Sequence, residues 1–339
     1  MALKSLDQLK NIRTPSNRVM NNPIKPYISR LARSITRILL KTPIASLLVR
    51  IIANDRDLLH SLAKDFTRKV DLLRAAQRAS EDKFFCVDEK IIEQILAGAK
   101  LSVFDIGAAG NIEVGLKKYR QLLHVIAAEP RRDGTLIENT ENFILVPKLI
   151  GNKEGRATLY ITERETNSSV RRPPGKFLNL YISGNSPRFD CIDEASFPIT
   201  TIASVLKETD RDVHYLKLDT NGNELDVLEG LGEYRPIIIK TEIGFVPIYQ
   251  DQTIFFHLAS VLYDLGYVLF HLGYVSKQSF DQSDEAFCET LIPVLGDAWF
   301  MPDWTRKIGR KIISTREKEY EALMLMFGMS EICDDVLKK

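Results

Sequence analysis

The run Val103-Phe104-Asp105-Ile106-Gly107-Ala108-Ala109-Gly110 constrains this chain more than any other. Apolar residues lead through Asp105 into a turn of glycines and alanines. A buried strand with such an ending lets a nucleoside approach the backbone of a doubly wound sheet. Twenty-four positions after Asp105, a second apolar run, Leu122 to Ala128, ends in Glu129. A carboxylate at that point accepts hydrogen bonds from both hydroxyls of a ribose. Together the two endings predict an adenosine-type cofactor. The turn is not the dinucleotide G-x-G-x-x-G: Ala109 and the leading Asp105 depart from it, and Asp105 suits a cationic or hydroxyl-rich group better than a pyrophosphate. The plain alternative is a tight strand-to-helix turn without a ligand.

Residues 86–302 alternate between strand and helix patterns, which predicts a mostly parallel sheet. Strands are expected near 102–106, 123–128, 144–150, 213–218, 236–242, 267–271 and 291–300, with a short extra one at Arg156–Thr162. Helices are expected near 88–98, 112–121, 132–140, 201–208, 222–230 and 251–265. Residues 163–198 are rich in Ser, Asn, Pro and Arg with weak periodicity, and read as a long irregular substrate loop. From residue 303 to 339 a C-terminal helix packs on the domain.

Residues 1–85 read as a separate basic, helical extension. The first fifty residues hold ten Lys or Arg against one acid, Asp7, in a chain whose formal net charge is only +1. Ile28, Leu31, Ile35, Ile38 and Leu39 share one helical face, and Arg30, Arg33, Arg37 and Lys41 the other. That amphipathic segment fits either a peripheral contact with an anionic membrane through 28–53, or packing of its apolar face against the next expected helix (Leu59, Leu62, Phe66, Val70 and Leu73) or a partner subunit in a homodimer. Nucleic acid is disfavoured, because Tyr27 is the segment's one aromatic and no nucleic-acid motif is present. The apolar stretch Ile44–Ala53 is interrupted by Arg50 and is too short to span a bilayer. The four cysteines are scattered and form no C-x-x-C pair, which argues against a zinc site or a disulfide framework. With no secretory signal evident, the expected location is cytoplasmic, with the inner membrane face as the peripheral option.

Two further strand endings carry acids to the same rim. His214-Tyr215-Leu216-Lys217-Leu218 leads into Asp219-Thr220-Asn221-Gly222-Asn223-Glu224. Ile237–Thr241 leads into Glu242. Ligands bind at the carboxyl ends of strands in open α/β sheets, so both acids are candidates for function; a helix cap is the plain reading of each. His271 ends a strand near that rim and is the best histidine base. No clustered metal spacing is present, although a carboxylate-bound magnesium would leave no clear trace.

These residues jointly resemble the FkbM-type S-adenosylmethionine-dependent methyltransferases over roughly residues 100–275. The resemblance runs from Phe104–Gly110 through Ala128-Glu129-Pro130, Gly155, Ser168-Ser169, Thr200–Leu206, Leu216–Glu224 and Val227–Gly230 to Thr241-Glu242-Ile243, Tyr249 and Leu265-Gly266-Tyr267. It implies a class I, Rossmann-like sheet of seven strands, mostly parallel, with the last antiparallel. It implies S-adenosylmethionine as cofactor and S-adenosylhomocysteine as product. Asp105, Gly107, Ala108 and Gly110 would form the cofactor turn, Glu129 and Pro130 the ribose site, Asn152 the adenine contact, and Asp219 would lie beside the methionine part of the cofactor or the acceptor. Ser168, Ser169, Arg171, Asn221 and Tyr249 would face the acceptor. This chain departs from the family in having Asn221 where Gln or Glu is common, and Asn223 where alanine or a hydrophobic residue is common.

The expected reaction is methyl transfer to a hydroxyl of a sugar, glycan or glycolipid precursor, with Asp219, Glu242 and His271 as base candidates in that order. Arg164, Arg171, Arg172 and Arg188 suit an acidic group on the acceptor, or simply a solvated loop. Polyketide or other small-molecule O-methylation, a nicotinamide-dependent oxidoreductase and a non-catalytic scaffold remain the rival readings.

Overall fold

A computed structural model of the 339-residue chain describes residues 84–107, 114–130, 140–173, 186–273, 276–279 and 291–337. The chain divides into units 1–74 and 75–339, and every described residue belongs to the second. The helices expected in the basic N-terminal segment therefore lie outside the described residues, as do Ala108, Gly110 and the helix expected at 132–140.

The described chain opens with α1 (Glu89–Leu96), capped by Asp88, which accepts from Lys90 N. Next come β1 (Leu101–Ile106), β2 (Leu123–Ala128), β3 (Phe143–Val146) and β4 (Leu149–Ile150). β5 (Gly155–Thr162), β6 (Cys191–Thr200), α2 (Ile202–Thr209), β7 (Tyr215–Leu218), α3 (Glu224–Glu229) and β8 (Ile238–Gly244) follow. The domain ends with α4 (Phe255–Asp264), β9 (Tyr267–Leu272), β10 (Ser276–Ser279), β11 (Leu291–Pro302), α5 (Lys307–Ser314), α6 (Glu317–Met326) and α7 (Ser330–Leu337).

The main sheet runs β3-β2-β1-β7-β8-β11-β10, with β9 also on β11. β3, β2, β1, β7 and β8 are parallel, and β11 pairs antiparallel with β8. Among the described residues, seven strands form this path, as expected, and β9 adds an eighth beside β11. β9 pairs with Ala298–Pro302 and β10 with Leu291–Leu295, so both occupy one flank of the long β11. Side chains alternate across the sheet. Phe104, Ile106, Ile126 and Ala128 join one core with Val205 of α2, Val227 of α3 and Leu258 of α4. Leu101, Val103, Leu123 and Val125 join another with Ile92 of α1 and Leu323 of α6. Both faces are therefore dry, which is why the strands read as nearly continuous apolar runs.

Three expectations change. The strand at 144–150 is two, split at Pro147: β3 belongs to the main sheet, and β4 to a small sheet ordered β4-β6-β5. Proline has no N–H to continue a ladder. The irregular loop at 163–198 is shorter than its composition suggests, because β6 pairs antiparallel with β5 from Thr162↔Cys191 to Gly155↔Ile199. β6 is exposed over most of its length, so Asp193, Glu194 and Ser196 leave no apolar alternation to read. The single C-terminal helix is three helices. Gly328, at φ +70°, follows α6 and turns the chain back, and α6 buries Tyr320, Leu323, Met324 and Met326 in the core. The helix expected at 112–121 is a 3-10 segment, Val114–Leu122, irregular at Tyr119, whose hydroxyl donates to Val87 O at 2.7 Å.

Candidate active site at the strand rim

The strand order reverses between β1 and β7, and a cavity of about 540 Å³ opens at their carboxyl ends. Open α/β sheets bind ligands at such a switch point, and the volume is that of a small-molecule site. Of the expected residues, Gly107, Glu129, Pro130, Ser168, Ser169, Asp219, Asn221 and Glu242 line it.

Gly107 is required by packing. Its φ is +80°, and a Cβ there would lie 1.9 Å from the backbone oxygen of Asp219. Gly107 N donates to Ala128 O at 3.0 Å, and Asp219 N to Ile106 O at 3.1 Å. The ends of β1, β2 and β7 are thus tied at one point. Beside them Glu129 is 3% exposed, with its N–H donated to Val146 O at 3.2 Å.

Asp105 is 1% exposed and does not line the cavity. Lys217 Nζ lies 2.9 Å from Asp105 Oδ1 and 3.6 Å from Asp219 Oδ2. Asp105 is therefore paired with Lys217 behind the rim, whereas Asp219, 48% exposed at its side chain, lines the cavity. Lys217 was missed in the sequence reading; the signal was one charge inside an otherwise apolar strand.

The turn after β7 is internally wired. Glu224, 5% exposed, accepts at Oε1 from Thr220 N, Thr220 Oγ1 and Gly222 N at 3.0–3.2 Å. Burial pushes its carboxyl above the usual carboxylate range. Asn221 adopts φ +56°, a region asparagine tolerates better than Gln or Glu. Its Nδ2 donates to Thr166 O and Ser168 O at 3.0 and 3.1 Å, and its own carbonyl accepts from Ser169 Oγ at 2.6 Å. Tyr249 Oη, on a ring outside the cavity lining, donates to Asn167 O at 2.8 Å. Asn221, Ser169 and Tyr249 thereby pin the 164–170 segment over the rim.

Glu242 also lines the cavity. Burial, and then the charges of Asp219, Glu224 and Asp297, raise its carboxyl well above the usual range, while Lys217 opposes the shift. A carboxylate pushed towards neutrality in a cleft is poised to take a proton. Lys148, Arg164 and Arg188 also line the cavity, and Arg164 N donates to Arg188 O at 3.1 Å.

Besides Asp105 and Tyr249, three further expected residues lie outside the cavity lining. His271 packs edge-on against Phe84 and Trp299, with ring centroids 4.9 and 5.0 Å away, and does not line the cavity. Asn152 is exposed and donates to Glu229 Oε2 at 2.9 Å; Leu149 and Ile150 line the cavity instead. Arg171 turns away from the cavity to Asp226 at 3.1 Å and Asp251 O at 2.8 Å. Among the described residues, no group of three or more His, Cys, Asp or Glu is arranged to hold a metal ion.

A mostly parallel, doubly covered sheet with an antiparallel last strand, and a carboxylate-walled cavity at its switch point, defines a Rossmann-like fold of the methyltransferase type. The family model described as the methyltransferase FkbM domain matches residues 105–269, and the chain carries that methyltransferase domain over this span. The match runs from the end of β1 into β9. No curated protein matches the chain.

Proposed function

We propose that this protein is an S-adenosylmethionine-dependent O-methyltransferase acting on a hydroxyl of a sugar, glycan or glycolipid precursor. The observation that carries the reading is one cavity lined by Glu129 after β2, Asp219 after β7 and Glu242 near the carboxyl end of β8. The residues suit the cofactor: a buried carboxylate for ribose hydroxyls, a backbone turn with no Cβ, and a volume that accepts a nucleoside joined to an amino acid. When bound, the cofactor supplies a methyl group already activated on a sulfonium.

The protein's own task is alignment and proton removal. An alcohol must lose its proton as its oxygen attacks, and Glu242 is the base this reading favours, because it lines the cavity and its burial beside other acids holds its carboxyl above the usual range, which strengthens it as a proton acceptor. Asp219, held beside Lys217, orients the reacting groups. Arg164 and Arg188 favour an acceptor bearing a phosphate or carboxylate, since guanidinium forks bind both bidentately. The basic segment 28–53 would serve homodimerisation or a peripheral membrane contact. Among the described residues, no helix is long and apolar enough to cross a membrane.

The deciding experiment is isothermal titration with S-adenosylmethionine, S-adenosylhomocysteine and NAD, followed by methyl transfer to sugar phosphates and uronic acids. Micromolar binding of the two sulfur nucleosides without NAD, and turnover on a hydroxylated acceptor, is the expected result. Binding of NAD alone overturns the reading.

A further inference from the structure

Asn223 stands where the resemblance leads one to expect alanine or a hydrophobic residue, and its amide is placed with a purpose the fold does not explain. It is 3% exposed and lines the cavity. Its Nδ2 donates to Ile150 O at 3.2 Å, which sets the orientation of the amide. Its Oδ1 is buried and accepts no hydrogen bond among the described residues. A buried acceptor left without a donor is costly, and native structures keep few of them unless a ligand, water or ion completes the site. The position needs a donor, and the cavity that Asn223 lines is where a ligand can bring one.

The surroundings say which donor. Glu129 N is bonded to Val146 O, at the end of β3, and the chain then runs through Lys148 to Leu149 and Ile150. A ribose held by Glu129 thus directs its base either toward this flank or back toward Asp219. The Asp219 side is polar and charged, whereas Leu149, Ile150, Leu159 and Val170 give this flank apolar walls suited to a flat ring. We propose that Asn223 reads the purine: its Oδ1 accepts a hydrogen bond from the exocyclic amino group of the cofactor's adenine. The inference rests on the S-adenosylmethionine reading and adds to it a specificity residue particular to this chain. Adenine offers Asn223 an N–H donor. A hypoxanthine base offers a carbonyl oxygen at the same place, so two acceptors would face each other in a dry site.

The test is isothermal titration of the full-length protein with S-adenosylhomocysteine and with its deaminated counterpart, S-inosylhomocysteine. The wild-type protein is expected to prefer the adenosyl compound by ~10-fold or more. Asn223→Ala and Asn223→Leu are expected to bring that ratio close to one, with ligand-free melting curves to show that each variant is folded. The wild-type ratio needs no variant, so a misfolded substitution leaves the test intact. Equal wild-type affinities, or an undiminished preference in a folded variant, overturn the role of Asn223 while leaving the methyltransferase reading standing. No binding of either compound to the wild-type protein overturns both.

Discussion

Lys217 and Asp105 are directly in register across the β7–β1 pair, with Nζ 2.9 Å from Oδ1. The acid at the head of the glycine turn therefore faces a neighbouring strand's lysine, and Lys217 carries its influence to Asp219. Removing one member of a buried pair leaves the other charge uncompensated, at a cost of ~3–5 kcal/mol. Lys217→Met should lose about that much stability in urea denaturation. Adding Asp105→Asn should recover part of the loss, giving a non-additive double-mutant cycle. Independent, additive losses would show that the pair is not coupled.

Glu242 links stability and activity in opposite directions. Its raised pKa means that the folded state holds the proton more tightly than the unfolded chain. The protonated acid's contribution is complete below the unfolded value of about 4.3 and is lost as pH rises through the folded value. Glu242→Gln should therefore melt above the wild-type protein at pH 8, and the gap should close towards pH 4. The same substitution should lower kcat by ~100-fold or more. In the wild-type protein, the rate should climb with pH through a value above the ordinary carboxylate range. Lys217→Met should move that limb further up, because Lys217 opposes the shift.

Gly107→Ala tests the knot between the strand ends. The added Cβ meets backbone, not a movable side chain, and the positive φ adds strain. The loss should exceed ~1 kcal/mol. Affinity for S-adenosylhomocysteine should fall with it, because the turn and Asp219 must separate. A variant as stable as the wild type would show that the turn relaxes freely.

Arg164 and Arg188 predict the charge of the acceptor. Replacing both by Gln should raise KM for a phosphorylated or carboxylated sugar by roughly tenfold or more, with little change for a neutral sugar. Steady-state kinetics at several salt concentrations would check this, since the wild-type KM should rise with salt. Equal effects on charged and neutral sugars would remove the arginines from acceptor recognition.

Deleting residues 1–53 should abolish binding to vesicles containing anionic lipid, or convert a dimer to a monomer, while methyl transfer persists. Vesicle sedimentation and light scattering distinguish the two. An enzyme unchanged in both assays would sink both roles for the basic segment.

The main-sheet strands were legible because burial on both faces leaves nearly unbroken apolar runs, and because a strand that ends in an acid announces its rim. Glu129, Asp219 and Glu242 could be placed at one rim from those endings alone. Gly107 was legible too, although its reason was not: the glycine admits the Asp219 carbonyl of a strand over a hundred residues away. What the tertiary structure decided is where each polar group finds its partner. Asp105 turned inward to Lys217, Arg171 to Asp226, and His271 settled between Phe84 and Trp299. β6 exists because its backbone pairs with β5, a bond that does not depend on side-chain pattern. Asn223 is conspicuous only once Ile150 O has claimed its amide nitrogen and left its oxygen buried without a donor among the described residues. Periodicity records which face of an element is buried, a local property written every two or four residues. Hydrogen-bond partners separated by tens to hundreds of residues leave no such record, and only the folded chain brings them within reach.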